Sequence, residues 1–204
     1  MSNTDLFEDK SQEWDGNPVI QQLSLKVSQS ILSNTFLNHD MVIMDFGAGT
    51  GLIASAVSSH VQKILAVDIS QSMLSQLASK EHLKDIVTPI CADIMQNPLE
   101  TKVDGVVSAM ALHHVEDTQK CIDTLFHHIK SGGFLALADL DTESGAFHPP
   151  GIEGVFHHGF DRNALSAKLS KAGFINISFV TAHIVQREPE APQYPIFLVT
   201  AQKE

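Results

Sequence analysis

The sequence has few of the residues that mark disulfide-rich, nucleic-acid-binding or membrane-attached proteins. It holds only two cysteines in 204 residues, Cys91 and Cys121, which is too few for a disulfide framework. Both lie within apolar or helical patterns, so we expect two buried free thiols in a reducing compartment. Lysine and arginine total 13 against 24 acids, and the net charge of -11 argues against a broad nucleic-acid surface.

Long hydrophobic runs are also missing. No uninterrupted apolar run approaches the ~20 residues that a membrane span needs, and the acidic start MSNTDLFEDKSQEWD has no apolar signal core. These features predict a cytoplasmic protein with no membrane span. The composition, 43% hydrophobic and 18% charged, suits one substantial core and hence a single globular domain.

Short runs of Val, Ile, Leu and Ala recur along the chain and alternate with stretches of helical spacing. Runs that are apolar throughout are typical of strands buried on both faces of a parallel sheet. The candidate strands are residues 42–46, 64–67, 86–91, 103–108 and 134–140, and the candidate helices are 18–37, 52–60, 71–80 and 117–130. This alternation predicts a doubly wound α/β fold.

The end of the chain has a different pattern. Asp161 is a candidate N-cap for a helix that Gly173 would terminate. Two strand-like runs follow, 174–180 and 195–201, and the QREPEAPQ segment between them is too short for a crossover helix. The sequence therefore predicts a final antiparallel hairpin.

The glycine-rich stretch VIMDFGAGTG, residues 42–51, is the strongest functional signal. Glycine permits a sharp turn after a strand and leaves no Cβ in the way of a ligand. From Gly49 the chain fits GxGxxA, and Asp68 follows 19 residues later, near the ~20 expected of a ribose-binding acid. This spacing predicts an adenosine cofactor and leaves NAD open. Asp45, directly before the loop, favours a ligand that carries a cation over one that carries a pyrophosphate.

With these motifs the chain resembles the class I S-adenosylmethionine-dependent methyltransferases, in particular the small-molecule group of ubiquinone and menaquinone methyltransferases. The resemblance covers nearly the whole chain. Its motifs, in the order of the family, are FEDKSQEWD, DFGAGTG, VDIS, ADI, VDGVVSAMALHHVED, SGGFLALADLD and HHGFDRNALSAKLSKAGF. It implies a Rossmann-like, seven-stranded, mostly parallel sheet with an antiparallel C-terminal strand and helices on both faces. It also implies a lid and helix in residues 1–38 packed on a cofactor-binding domain in 39–204.

The resemblance also implies a set of residues around S-adenosylmethionine. Asp45 would attract the ammonium of the cofactor, Asp68 would accept from the ribose hydroxyls and Asp93 from the adenine amine. The full set is Trp14, Asp45, Gly47, Gly49, Asp68, Ile69, Met73, Asp93, Ile94, Ala109 and Met110.

Simpler roles remain open for five of these residues. Asp45 and Asp68 are each suited to capping the helix that follows, and Asp93 to forming a turn before Asn97 and Pro98. Met73 and Trp14 are equally suited to packing in the core.

Eleven histidines invite a metal hypothesis, but adjacent residues on a helix point about 100° apart. The three adjacent pairs are therefore not chelating clamps, and we expect no metal. His113 and His114 differ in position, because they follow the fourth strand where an acceptor would meet the methyl group. Either is a candidate general base or acceptor ligand.

The segment 141–158 leaves the fifth strand and is longer than most strand-to-helix loops, which is typical of a binding loop. Together with the lid it leaves room for a small-molecule acceptor rather than a protein or nucleic acid. The leading hypothesis is methyl transfer by in-line displacement. Two alternatives remain, a catalytically silent cofactor-binding subunit that activates a partner methyltransferase and an NAD(P) oxidoreductase. The acceptor, the attacked atom and the oligomeric state are not encoded in a recognisable motif.

Overall fold

A computed structural model describes residues 5–204, and the first four residues of the predicted lid lie outside this range. Seven strands form one sheet in the order β3-β2-β1-β4-β5-β7-β6. The strands are β1 (Val42–Phe46), β2 (Lys63–Asp68), β3 (Val87–Cys91), β4 (Val103–Ala109), β5 (Ile129–Leu140), β6 (Phe174–Val185) and β7 (Tyr194–Lys203).

The strand directions match the predicted topology. β1 is parallel to β2 and β4, β3 to β2, and β5 to β4, whereas β7 is antiparallel to both β5 and β6. The order reverses on either side of β1, which creates a crevice at the carboxyl ends of β1 and β4. The predicted seven-stranded, Rossmann-like sheet with an antiparallel C-terminal strand is confirmed.

The five helices begin at the predicted positions or within one residue of them. The side chains of Ser70, Asp117 and Asp161 each accept a hydrogen bond from a backbone N–H in the first turn, and Gly173 ends the last helix with φ of 105°. The helices are α1 (Pro18–Asn34), α2 (Leu52–Val57), α3 (Gln71–Ala78), α4 (Thr118–His128) and α5 (Arg162–Ala172).

The sheet separates two apolar clusters. One contains residues of α1, α2 and α3, among them Val27 and Leu74, and the other contains residues of α4 and α5, among them Ile122 and Leu169. Helices therefore cover both faces, as a sheet whose central strands are apolar throughout requires. Within residues 5–204, no helix has both the length and the apolar character to cross a membrane.

Several sequence predictions were wrong in detail. α1 ends at Asn34 rather than 37, α4 ends at His128 rather than 130, and β6 continues to Val185 rather than 180. Strand β5 begins at Ile129 rather than 134, because Ile129 already pairs with Val103 on β4. The register then shifts at the glycine pair that follows Ile129. Cys91 is exposed, whereas Cys121 is buried as expected. The reason is that β3 is an edge strand with alternating burial, so every second side chain faces solvent.

Candidate active site

The glycine loop makes a turn that only small residues tolerate. Gly47 and Gly49 have φ of 68° and 54°, in the left-handed region that favours glycine. The N–H groups of Gly47 and Ala48 both donate to the carbonyl of Val67, which ties the loop to the end of β2. A Cβ on Gly47 would lie 2.3 Å from the Cβ of Ala111, so the segment after β4 packs directly against the loop.

Asp45 is a buried carboxylate with a free acceptor. Its side chain is 1% exposed, and within the described residues Oδ2 has no hydrogen-bond partner. Burial raises the pKa of this carboxyl to about 7; the backbone N–H of Ala54 opposes the rise and the charge of Asp68 adds to it. A buried acid without a cation is costly, so the position is suited to a positively charged ligand group.

Asp68 ends β2 beside the loop. Its Oδ2 accepts from Gly49 N at 2.7 Å and its Oδ1 from Ser70 N at 2.8 Å, and each oxygen keeps a further lone pair. Burial raises the pKa of Asp68, while these backbone N–H groups oppose the shift. The next residue, Ile69, is an apolar side chain with 63% exposure at the same edge.

Three further residues of the implied cofactor set, Met73, Asp93 and Ile94, lie in different surroundings. Met73 and Ile94 are 3% and 1% exposed, so both are buried side chains in this structure. Asp93 is half-buried at the end of β3, where its carboxylate accepts from Met95 N at 2.9 Å and from the amide of Gln96 at 2.6 Å. The carboxylate therefore stabilises the local turn.

The chain turns sharply after β4. Ala109 is the last residue of that strand, and Met110 follows with φ of 57°, a left-handed conformation that is rare outside glycine. Met110 N donates to Ala138 O on β5, and a short 3-10 turn, Leu112–His114, comes next. Backbone strain of this kind clusters at functional sites.

The two histidines in this turn lie close together, contrary to the expectation that adjacent side chains on a helix diverge. Their ring centroids lie 4.1 Å apart. His113 is 1% exposed, and its Nδ1 lies 2.8 Å from Oδ1 of Asp139. His114 donates from Nδ1 to Gly154 O at 2.6 Å, and burial, helped by the proximity of His113, lowers its pKa to about 4.

Sequence analysis missed two residues of this cluster, Asp139 and His148. Asp139 is fully buried near the end of β5, and an acid inside the apolar run FLALADL was the signal for it. His148 comes from the long loop after β5, and its Nε2 lies 3.2 Å from His113 Nε2. Nothing in the local sequence around His148 indicates that contact.

The predicted lid lies against the same cluster. The ring centroid of Phe7 is 6.0 Å from that of Trp14 and 5.6 Å from that of His114. Asp15 accepts from the hydroxyl of Thr50 in the glycine loop and forms an ion pair of 2.6 Å with Lys80. The N-terminal segment is thus joined to both halves of the crevice.

Two other features concern possible ligands. A cavity of about 660 Å³ is lined by residues 9–20, including Trp14, and not by the glycine loop. Among the residues that the structure describes, no group of three or more histidine, cysteine or acidic side chains has the arrangement of a metal site.

Comparison with known proteins addresses the fold and the family. Residues 44–137 match the profile of a family described as "Methyltransferase domain". An uncharacterised methyltransferase of Schizosaccharomyces pombe is 33% identical over 144 residues, which are 63% of this chain and 51% of that protein. The malonyl-[acyl-carrier protein] O-methyltransferase of Priestia megaterium is 28% identical over 131 residues, 63% of this chain and 47% of the relative. The chain thus spans about half the length of these curated relatives.

A solved structure supports the same fold. Phosphoethanolamine N-methyltransferase 2 of Haemonchus contortus, determined in complex with S-adenosyl-L-methionine, superimposes with a TM-score of 0.73 at 16% identity. The match covers 100% of this chain and 60% of that one. Residues 44–137 of this chain thus match a methyltransferase domain, and the whole chain shares its fold with that solved methyltransferase.

Proposed function

We propose that the protein transfers a methyl group from S-adenosylmethionine to a small-molecule acceptor by in-line displacement. The observation that carries this proposal is the unpartnered, buried Oδ2 of Asp45 beside the glycine loop. A pyrophosphate would repel this carboxylate, whereas an ammonium would neutralise it. The methyltransferase family match and the activities printed for the relatives support the same choice.

The residues at the crevice fit the proposed cofactor in charge and shape. Asp45 would hold the ammonium, Asp68 would accept from the ribose hydroxyls with its remaining lone pairs, and the exposed side chain of Ile69 would cover one adenine face. Gly47 and Gly49 leave the backbone bare where the methionine part would lie. The remaining members of the set, proposed on the family resemblance, are Trp14, Met73, Asp93, Ile94, Ala109 and Met110.

When bound, S-adenosylmethionine supplies an electrophilic methyl group, so the chain mainly has to align the acceptor and exclude water. We assign alignment to the turn with His113 and His114 and to the loop 141–158, and closure to the lid in residues 1–38. His114 donates from Nδ1, so its Nε2 is free to accept a hydrogen bond, and its ring centroid lies 5.6 Å from that of Phe7 and 4.1 Å from that of His113. Both histidines are our candidates for binding the acceptor or taking up its proton, and His113, at 1% exposure, would do so through a neighbouring side chain.

The class of acceptor is inferred from the lengths of the connecting segments and from the net charge of the whole chain. No large insertion interrupts the fold, and the net charge of -11 is unfavourable for nucleic acid. We therefore propose a small molecule, as the resemblance to the ubiquinone and menaquinone methyltransferases suggests. The P. megaterium relative is named for an acceptor carried on a protein, so the acceptor screen includes carrier-bound acyl groups.

Calorimetry tests the cofactor first. The purified protein should bind S-adenosylmethionine and S-adenosylhomocysteine but not NADH. Asp45→Asn should weaken S-adenosylmethionine binding by about 10-fold or more, because a charge-assisted contact contributes about 1.5–3 kcal/mol. The matched control is Asp123→Asn, an exposed acid on α4, which should leave affinity unchanged. Absence of binding to either adenosyl compound contradicts the proposal.

A screen for release of S-adenosylhomocysteine then tests turnover with small metabolites and carrier-bound acyl groups. Turnover with any of these supports an enzyme. Cofactor binding without turnover across the panel, together with co-purification of a related chain, supports instead a silent subunit that activates a partner methyltransferase.

A further inference from the structure

Asp139 determines which ring nitrogen of His113 carries the proton. The Asp139 carboxylate is 0% exposed, and its Oδ1 accepts from His113 Nδ1 at 2.8 Å and from Leu140 N at 2.7 Å. Its Oδ2 accepts from the backbone N–H of His113 at 3.1 Å. An ionised carboxylate only accepts hydrogen bonds, so the ring of His113 carries its proton on Nδ1. Its Nε2 therefore presents a lone pair.

That lone pair faces His148. The two Nε2 atoms are 3.2 Å apart, so His148 must donate from Nε2 when His113 accepts. Neutral His148 then has its lone pair on Nδ1, for which the described residues provide no hydrogen-bond partner. Three groups from β5, the turn after β4 and the long loop thus form one directional chain of hydrogen bonds.

The turn that carries His113 also packs on the glycine loop. Ala111, two residues before His113, packs on Gly47, and the ring of His148 lies 5.9 Å from that of His114. His113 itself is closed off, because it is buried and both ring nitrogens have partners. His148 is half-buried and reaches the same region from the loop. It is therefore the more accessible of the two nitrogen bases.

We propose that Asp139, His113 and His148 form a proton relay, in which Nδ1 of His148 takes the proton of the methyl acceptor and His113 receives the charge. The relay rests on the proposed function. His148 is the catalytic base, because it contacts the acceptor, and His113 and Asp139 are positioning residues that act through it.

The proposed step balances. The acceptor atom forms a bond to the methyl carbon, the bond from that carbon to sulfur breaks, and its electron pair stays on sulfur. The acceptor proton moves to Nδ1 of His148, and the proton on its Nε2 moves to Nε2 of His113. The product state is a neutral thioether, a neutral His148 and a His113 imidazolium paired with the Asp139 carboxylate.

The surroundings explain why His148 needs this support. Burial, with an added contribution from His113, lowers the pKa of His148 to about 4; Glu143 and Asp139 act in the opposite direction and Arg187 lowers the pKa further. Alone, such an imidazole is a weak base. Passing the charge to His113 places the cation 2.8 Å from a carboxylate instead. His114 has a backbone carbonyl at Nδ1 in place of an acid, and therefore lacks this support.

Nuclear magnetic resonance tests the relay without any acceptor. The experiment is a long-range proton–nitrogen correlation spectrum of the full chain labelled with ¹⁵N-histidine, recorded at pH 7.5. It should show His113 protonated at Nδ1 and His148 at Nε2. The variants His113→Gln and His148→Asn assign the signals. The opposite tautomer at either residue overturns the proposal. Because calorimetry measures cofactor binding separately, a wrong tautomer in a protein that binds S-adenosylmethionine rejects the relay and leaves the proposed function intact.

Kinetics with an acceptor from the screen gives the second test. His148→Asn and Asp139→Asn should each lower kcat about 100-fold or more with cofactor affinity unchanged. In His148→Asn, kcat should rise with pH as the acceptor ionises in solution, which a purely structural defect would not produce. His127→Asn, an exposed residue of α4, is the control and should match the wild type. A kcat in His148→Asn equal to that of the wild type rejects the relay.

Discussion

At the scale of single residues, the ionisation of the buried Asp45 carboxyl has a direct effect on stability. The carboxyl is buried and has no hydrogen-bond partner at Oδ2, and the charge of Asp68 contributes to its raised pKa. Its ionisation at neutral pH therefore opposes folding. A ligand cation would remove that cost.

Asp45→Asn should stabilise the ligand-free protein at high pH. The pKa of Asp45 is raised from 3.8 to about 7, so the folded state holds a proton that the unfolded state releases between these values. The stability that this proton provides is present below pH 3.8 and is lost as pH rises through 7. The variant should gain up to about 4 kcal/mol in the free energy of unfolding at pH 8 and almost nothing near pH 4.

Urea unfolding of both proteins at several pH values measures this difference. Asp123→Asn provides the baseline for replacing an exposed acid. A difference between Asp45→Asn and the wild type that does not change with pH contradicts the raised pKa of Asp45.

The position of some candidate-site residues in the fold follows from the sequence, whereas that of others does not, for a physical reason. Asp45 lies one residue before the end of β1 and Asp68 ends β2. Because strand ends in a parallel sheet meet at one edge, their positions follow from chain order alone. His148 could not be found in this way. It lies 35 residues from His113 on a loop without periodicity, and only the folded loop brings their nitrogens together.

At the scale of elements, the glycine loop and the turn after β4 act as one packed unit. The missing Cβ of Gly47 is the space that Ala111 occupies. Cofactor-side and acceptor-side segments therefore pack through a contact between a glycine and an alanine. Because the distance between backbones is set by steric repulsion, a single methyl group is enough to separate them.

Gly47→Ala should destabilise the protein by roughly 2–5 kcal/mol, since it combines left-handed backbone strain with a Cβ contact of 2.3 Å. Gly49→Ala is a matched control with the same type of backbone strain, because φ is 54° and a Cβ there meets nothing within 4 Å. It should cost about 1–2 kcal/mol.

The double variant Gly47→Ala with Ala111→Gly should recover the steric part and leave a loss similar to that of Gly49→Ala. Urea unfolding of the ligand-free proteins measures all three values. Equal losses in Gly47→Ala and Gly49→Ala would show that Ala111 does not limit the loop.

The element order was predictable because apolar runs and capping residues are local signals. The side chains of Ser70, Asp117 and Asp161 cap helices by accepting from backbone N–H groups three positions away, which sequence spacing captures. Exposure of Cys91 depends instead on the place of β3 at the edge of the sheet. Edge position is a property of the assembled sheet, and no local pattern encodes it.

At the scale of the whole molecule, burial of neutral histidines makes the fold sensitive to acid. The pKa values of His114, His128, His148 and His183 are all lowered, in each case mainly by burial. Below pH 6.5 the unfolded chain binds protons at these sites more readily than the folded chain, in which the pKa values are lower. Their contribution to stability is therefore complete above pH 6.5 and is lost on acidification.

Acidification from pH 6.5 to 4.5 should destabilise the wild type more than the double variant His114→Gln with His148→Gln. His114 alone accounts for up to about 1.4 kcal/mol per pH unit in this window, and the more solvated His148 adds less. Thermal unfolding over the pH series measures the difference, and His127→Asn should behave as the wild type. Parallel pH profiles for the wild type and the double variant would contradict the lowered pKa values.

The position of β7 has a consequence for the order in which the protein is assembled. This strand is synthesised after the other six strands of the sheet, yet it lies between β5 and β6 and pairs Phe197 with Asp139. A nascent chain can form β1, β2 and β3 with the glycine loop while Asp139 still lacks its neighbouring strand. The half of the crevice proposed for the cofactor can therefore fold during translation. The histidine cluster can be completed only after residues 194–203 have left the ribosome.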